Sequence, residues 1–167
     1  MPSLRSVASS SNFPRIRARN LEGLDVELPD AFDGRRNLVA IAFQRNHQSL
    51  VDSWVPWFEQ RAGGDPEQRF YELPTIGRIW APVRNFIDGG MAAAIREPEI
   101  LRRTFTIYGD VSRVTGPLAI TDRSTITVLL LDGAGGVLWR ASGGWDATVA
   151  HELDTILDDG RDMDPER

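Results

Sequence analysis

The sequence predicts an α/β domain in which a central mixed sheet is flanked by helices and preceded by an N-terminal β-hairpin. Three observations predict it. A continuous apolar run over 37–43, bounded by polar residues, fits a central strand buried on both faces. Apolar residues at helical spacing follow it at once, as a crossover helix requires. A second apolar, β-branched run over 124–131 precedes a Gly-rich turn and another apolar segment, which predicts a closing hairpin.

The N-terminal hairpin is predicted from alternation around Gly23. Ile16, Ala18 and Leu21 precede that glycine, and alternating apolar residues follow it over 24–28. We therefore expect two short strands joined by a turn near 20–23.

The first helix is predicted over about 50–63, where apolar residues recur every three or four positions before a Gly-Gly pair. Pro56 lies inside this pattern. Because proline lacks the backbone donor and clashes with the preceding turn, it should kink or divide the helix near Ser53.

The remaining elements follow from the same signals. In chain order we predict a strand over 69–73, helices over 81–95 and 98–102, a strand over 105–108, the hairpin strands over 124–131 and 137–141, and an amphipathic helix over 145–157.

Asp110 follows the strand predicted over 105–108. We expect it either to cap a helical turn over 111–114 or to lie at the carboxyl edge of the sheet, where α/β sites gather.

The 167 residues suit one domain. We expect a disordered leader over 1–12, the domain over 13–157 and an acidic tail over 158–167. No apolar run approaches the roughly 18 residues of a membrane-spanning helix, so none is predicted. Cytoplasmic location is the default expectation.

Composition excludes several kinds of chemistry. The chain has no cysteine, which excludes thiol–disulfide exchange and thiol peroxidase activity by its own residues. All basic residues are arginine, so lysine nucleophiles are excluded too. With two histidines and no cysteine, no metal site is predicted, and no cofactor motif is present. The net charge of −5 argues against nucleic acid as a partner.

Three stretches of the chain resemble the thioredoxin-like superfamily across about residues 20–157. They are the strand Leu-Val-Ala-Ile-Ala-Phe at 38–43 with the helix start after it, the 124–139 segment with Gly135-Gly136-Val137, and Ala-Ser-Gly-Gly at 141–144 before the last helix. Residues 30–43 and 139–144 are also similar to thioredoxin-like assembly factors of the mitochondrial ATP synthase. The resemblance implies a thioredoxin-like fold with a site at the first strand-to-helix junction.

Two departures from the family pattern bear on function. The resemblance would place a Cys-x-x-Cys or a single cysteine near 46–50, where this chain has Asn-His-Gln-Ser-Leu. It would also place a cis-proline near Thr125 or Ile126, where there is no proline. The resemblance therefore implies the fold without the redox activity.

The best site candidate is the polar stretch of Arg45, Asn46, His47, Gln48 and Ser49. Unpaired backbone N–H groups at a helix start favour anions, and arginine adds a fork for carboxylate or phosphate. His47 has the chemistry of a base or a pH sensor. The alternative is that Asn46 or His47 only caps the helix while the others are solvated.

A second candidate surface is a loop at 76–82 that carries Arg78 and Trp80, because tryptophan and arginine dominate interface hot spots. Packing of Trp80 over the edge of the core is the alternative.

Three functional hypotheses remain open. The first is a redox-inactive thioredoxin-like binding or assembly module with a protein partner, for which a homo-oligomer is one form. The second is a non-thiol enzyme or small-anion binder centred on 45–49. The third is a subunit whose partner supplies the cysteines. We assign no catalytic residue, and enzymatic activity is not the leading expectation.

Overall fold

The computed structural model describes residues 12–63, 65–77 and 103–162. The helices expected over 81–95 and 98–102, together with Arg78 and Trp80, lie outside the described residues. None of the described helices is long and apolar enough to cross a membrane.

The described chain forms seven strands and four α-helices. The strands are β1 (Ile16–Asn20), β2 (Asp25–Leu28), β3 (Arg36–Ala42), β4 (Gln68–Gly77), β5 (Phe105–Gly109), β6 (Thr127–Asp132) and β7 (Val137–Ser142). The helices are α1 (Gln48–Asp52), α2 (Val55–Ala62), α3 (Ser112–Thr115) and α4 (Ala147–Asp162), and a 3₁₀ turn over Arg45–His47 precedes α1.

The strands form one mixed sheet in the order β2-β1-β5-β4-β3-β6-β7. The three central strands β3, β4 and β5 are parallel, whereas β6 and β7 add to one side and β1 and β2 to the other as antiparallel pairs. Because parallel neighbours point the same way, the carboxyl ends of β3 and β4 meet at one edge of the sheet. The N-terminal hairpin and the closing hairpin are both confirmed.

Strand β3 lies at the centre of the core. Leu38 and Ala40 contribute to a cluster under α1, α2 and α4, while Val39 and Ile41 contribute to a cluster on the other face. Burial on both faces explains why the strand is apolar at consecutive positions rather than at alternate ones. The prediction of a doubly buried central strand is confirmed.

The first helix is divided near Ser53, which is one of the two outcomes expected from Pro56. α1 ends at Asp52 and α2 begins at Val55, and Pro56 occupies the first turn of α2. Proline is tolerated there because the first helical N–H groups have no intrahelical partner. At the break, the Ser53 hydroxyl donates to the Leu50 carbonyl at 2.6 Å, which satisfies one of the freed acceptors.

Three boundaries differ from the sequence expectation. The last helix spans Ala147–Asp162 rather than 145–157, so the first residues of the expected acidic tail are helical. Strand β4 continues past Pro74 to Gly77: it pairs with β3 up to Pro74 and with β5 from Thr75 to Gly77. Asn12, placed in the leader, forms an isolated bridge with Gly136.

Replacing Trp54 by alanine should lower the free energy of unfolding by about 3–5 kcal/mol. Its indole is 0% exposed, contacts Trp57 and Trp139 edge to face, and donates Nε1–H to the Gly143 carbonyl. Urea unfolding measures the loss. Trp145→Ala is the control, since Trp145 is 41% exposed and its loss should cost less than about 1 kcal/mol. Equal losses in the two variants would contradict this packing.

Candidate functional site

The candidate site lies where β3 ends and the chain turns into α1. The 3₁₀ turn Arg45–His47 joins the two elements at the carboxyl edge of the sheet. Asn46, Gln48 and Ser49 are exposed there, whereas His47 is 2% exposed.

His47 is fully hydrogen-bonded in this buried position. Its Nδ1 accepts the backbone N–H of Phe43 at 3.0 Å and that of Gln44 at 3.3 Å. Its Nε2 lies 3.1 Å from the carbonyl oxygen of Ser124. Two donors aimed at Nδ1 require that nitrogen to be an acceptor, so the network assigns the proton to Nε2, which donates to Ser124.

Gln44 makes a second connection between the same two segments. Its Nε2 donates to the carbonyl of Arg123 at 3.1 Å, beside the bond from His47 to Ser124. The segment that receives both bonds is itself folded around Asp122, whose carboxylate accepts from the backbone N–H and the hydroxyl of Ser124. Those two bonds hold the pKa of the Asp122 carboxyl below its usual value. The junction after β3 and the segment before β6 therefore form one connected unit.

A third segment, 143–145, closes the same end of the molecule. Gly143 donates its N–H to the Ile126 carbonyl and accepts from the Trp54 indole. The Trp145 N–H donates to the Ser53 hydroxyl at 2.9 Å. A β-carbon at Gly144 would lie 3.0 Å from Ser53 Oγ and 3.2 Å from Leu50 Cδ2, so a larger residue there would force its neighbours on and after α1 to shift by a few tenths of an ångström.

On the inner side of α1, Gln48 meets a buried acid. Its Nε2 donates to Asp52 Oδ1 at 2.8 Å and to Glu72 Oε1 at 3.2 Å. Burial raises the pKa of the Glu72 carboxyl, and the nearby Asp52 charge adds to this, while Gln48 and Arg103 partly offset it.

The structure leaves three of the predicted site residues exposed at the junction but buries a fourth, His47. Asn46, Gln48 and Ser49 do share the exposed junction, but His47 faces inward with both ring nitrogens occupied. That geometry suits a structural role and leaves no free nitrogen for a base. Arg45 lies in the 3₁₀ turn, and the second candidate surface at Arg78 and Trp80 lies outside the described residues.

The anion-binding hypothesis loses part of its physical basis. The backbone N–H groups of Phe43 and Gln44 already donate hydrogen bonds to His47 Nδ1, so they are not available to bind an anion. α1 has only five residues, so its dipole is small. Asp110, the other acidic candidate, accepts from the N–H and the hydroxyl of Ser112 in the turn that enters α3. The N-cap of α3 is Val111 and has no side-chain capping bond, so Asp110 lies one residue before the cap position.

Gln44, Glu72 and Trp145 are not among the site residues that the sequence predicts. Glu72 lies within the strand predicted over 69–73. Trp145 falls at the start of the predicted last helix, yet it lies before α4 and is exposed. The signal available for Trp145 was its position directly after Gly143-Gly144.

Solved structures similar to this one have thioredoxin-like folds. One is a putative thiol:disulfide interchange protein DsbE from Chlorobium tepidum, with a TM-score of 0.56 and 14% identity over 92% of this chain and 98% of that one. A second is a putative protein disulfide isomerase from Bacteroides thetaiotaomicron, with a TM-score of 0.57 and 11% identity over 94% of each chain. A third is the thioredoxin domain of a thiol-disulfide oxidoreductase from Bacteroides vulgatus, with a TM-score of 0.52 and 18% identity over 90% and 98%.

The chain therefore has a thioredoxin-like fold, and it has it without any cysteine. No protein-family model matches the sequence, and no curated protein matches it either. The narrower resemblance to ATP synthase assembly factors consequently gains no support. Among the described residues the cis peptide bond is at Leu28–Pro29, whereas the place before β6 has neither a proline nor a cis bond.

His47→Ala should destabilise the protein by about 1–3 kcal/mol, because it leaves the Phe43 and Gln44 N–H groups and the Ser124 carbonyl without their partner. Chemical unfolding measures the change. His151→Ala is a matched control, since His151 is exposed on α4 and its removal should change stability by less than about 0.5 kcal/mol. A His47 variant as stable as the His151 variant would show that the imidazole does not connect the two segments.

Proposed function

We propose that this chain is a redox-inactive binding or assembly module that holds a protein partner at the carboxyl edge of its sheet. The binding surface, which we call the rim, consists of Gln44, Asn46, Gln48, Arg123 and Trp145. The observation that carries the proposal is the placement of His47. At the junction where the resemblance implies a thiol, a buried imidazole instead fixes two segments together.

The chemistry of the rim supports binding rather than catalysis. An exposed tryptophan offers a large apolar area at low conformational cost, and amide side chains supply adaptable hydrogen bonds around it. The three segments that carry the rim are tied to one another through His47, Gln44 and Ser53. A surface that is already ordered loses little entropy on association.

Arg78 and Trp80 remain a second proposed contact surface, and cytoplasmic location remains part of the proposal. A subunit role, in which the partner supplies cysteines, is a special case of the same binding function. It is distinguished by the identity of the captured protein, which would then be an oxidoreductase.

Trp145→Ala should weaken partner binding by about thirtyfold, the effect of removing an interface hot spot of about 2 kcal/mol. The partner is captured from lysate of the source organism by the immobilised wild-type chain, and its affinity is then measured by calorimetry. Asn46→Ala tests the amide side of the rim, and Trp80→Ala tests the second surface.

Leu24→Ala is the matched control for the Trp145 variant. Leu24 is also an exposed apolar side chain, at 61%, but it lies in the β1–β2 turn. Because Asn20 at the end of β1 pairs with Phe105 at the start of β5, that turn lies at the opposite edge of the sheet. Binding that survives Trp145→Ala and Asn46→Ala, or that falls equally with Leu24→Ala, contradicts a binding site at the rim. Light scattering on the same variants detects self-association.

A further inference from the structure

Strand β7 is the last strand of the sheet, and its outer side is unpaired within the described chain. The strand order places β7 beside β6, and no other strand of the described residues pairs with it. The isolated bridge of Asn12 is made to Gly136, which precedes the first residue of β7. An edge strand presents main-chain N–H and C=O groups that can pair with another extended chain.

The register of β7 shows which main-chain groups face outward. Antiparallel strands alternate between residue pairs that exchange two hydrogen bonds and pairs that exchange none. The Gly143 N–H donates to the Ile126 carbonyl at 2.9 Å, directly outside the pair of Ser142 with Thr127. That pair therefore exchanges none, and the N–H and C=O of Ser142 point away from β6. Arg140, two residues earlier, has the same orientation, and we call these four groups the free edge.

The free edge lacks the features that usually protect an edge strand. Such strands are commonly guarded by charged side chains, by proline or by a bulge. β7 contains no proline, and its one charged side chain, Arg140, donates to the Leu118 carbonyl at 2.6 Å. The irregularity in the pairing with β6 lies between Leu130 and Leu131, opposite the first half of β7. The stretch that carries the free edge is therefore regular and open to pairing.

The free edge is continuous with the rim. β7 and β3 are both antiparallel to β6, so β7 ends at the same edge of the sheet as the junction after β3. Trp145 follows Ser142 by three residues, is 41% exposed, and has its N–H bound to the Ser53 hydroxyl. A strand added beside Ser142 therefore lies next to the loop that carries the tryptophan of the rim.

We propose that the partner binds as an extended segment that adds a strand to the outer side of β7 and packs an apolar side chain against Trp145. The free edge supplies two donors and two acceptors at alternate residues, which is the spacing that an extended main chain matches. In this mode of recognition main-chain hydrogen bonds give affinity, and a contact to alternate side chains gives specificity. The inference rests on the proposed function, since it names the form in which the partner meets the rim.

A library of random linear peptides, long enough to span β7, tests the inference on the full chain. Peptides selected on the wild type should bind Ser142→Pro about tenfold or more weakly in calorimetry. Proline there removes an outward N–H and leaves a peptide carbonyl without its donor, while every hydrogen bond to β6 remains. The same peptides should also lose affinity for Trp145→Ala.

Glu27→Pro is the matched control, because it makes the same change on β2, at the opposite end of the sheet. The Asn20 N–H donates to the Leu24 carbonyl outside the pair of Arg19 with Asp25. By the same alternation the N–H of Glu27, two residues after Asp25, faces outward. Peptides should bind Glu27→Pro as tightly as the wild type.

Hydrogen exchange of the wild type with a bound peptide needs no variant. The amides of Arg140 and Ser142 should exchange severalfold more slowly in the complex, whereas the amide of Ala141, which faces β6, should change little. The inference is overturned if no peptide is selected, if both proline variants bind alike, or if the two outward amides stay unprotected. A dimer of the chain alone that Ser142→Pro abolishes would place a second copy there instead. If these readouts fail while Trp145→Ala still weakens the captured partner, the rim stands and binds a folded surface.

Discussion

The hydrogen bonds of one buried imidazole organise the end of this protein that carries the proposed rim. His47 accepts hydrogen bonds from two backbone N–H groups just after β3 and donates one to the segment that enters β6. A single ring therefore satisfies three main-chain groups. Buried main-chain groups left unpaired cost free energy comparable to a lost hydrogen bond, so the ring and the two segments stabilise each other. Gln44 adds a second hydrogen bond between the same two segments, to the carbonyl of Arg123, the residue before Ser124. The junction that resembles a reactive site is thereby a structural joint.

The central parallel strands determine where this joint lies. β3 and β4 pair in register over 36–42 and 68–74, so the turn into α1 and the end of β4 project from the same edge of the sheet. The closing hairpin adds β6 antiparallel to β3 and brings the 122–126 segment beside that turn. Fold and site are therefore linked: the topology gathers three loops at one edge, and their mutual hydrogen bonds make them a single surface. We propose that this surface recognises a protein partner.

Local signals in the sequence predicted most of the fold. The doubly buried strand at 37–43 and the helix division at Pro56 follow from composition and backbone sterics, which act within a few residues. Boundaries were less predictable. β4 continues through Pro74 because it pairs with β3 up to that proline and with β5 beyond it, and sequence alone does not show which neighbours a strand will have.

The position of the polar stretch in the fold was predictable, but its contacts were not. Residues 45–49 lie at the turn between β3 and α1, as expected, yet the sequence gave His47 the chemistry of a base. Its role depends on Ser124, 77 residues away in the chain, and a contact of that separation leaves no local pattern. The same holds for Glu72, whose partner Gln48 is 24 residues distant. Sequence periodicity places such residues on an element, and only the packed structure shows what they face.

The protonation pattern of the His47 ring is the most direct test of this account. A long-range ¹H–¹⁵N correlation spectrum of the imidazole side chains distinguishes a ring nitrogen that carries a proton from one that accepts a hydrogen bond. We predict a single fixed neutral tautomer for His47, with the proton on Nε2 and with Nδ1 as acceptor for Phe43 and Gln44. A proton on Nδ1, or a ring that averages between tautomers as exposed histidines do, would contradict it.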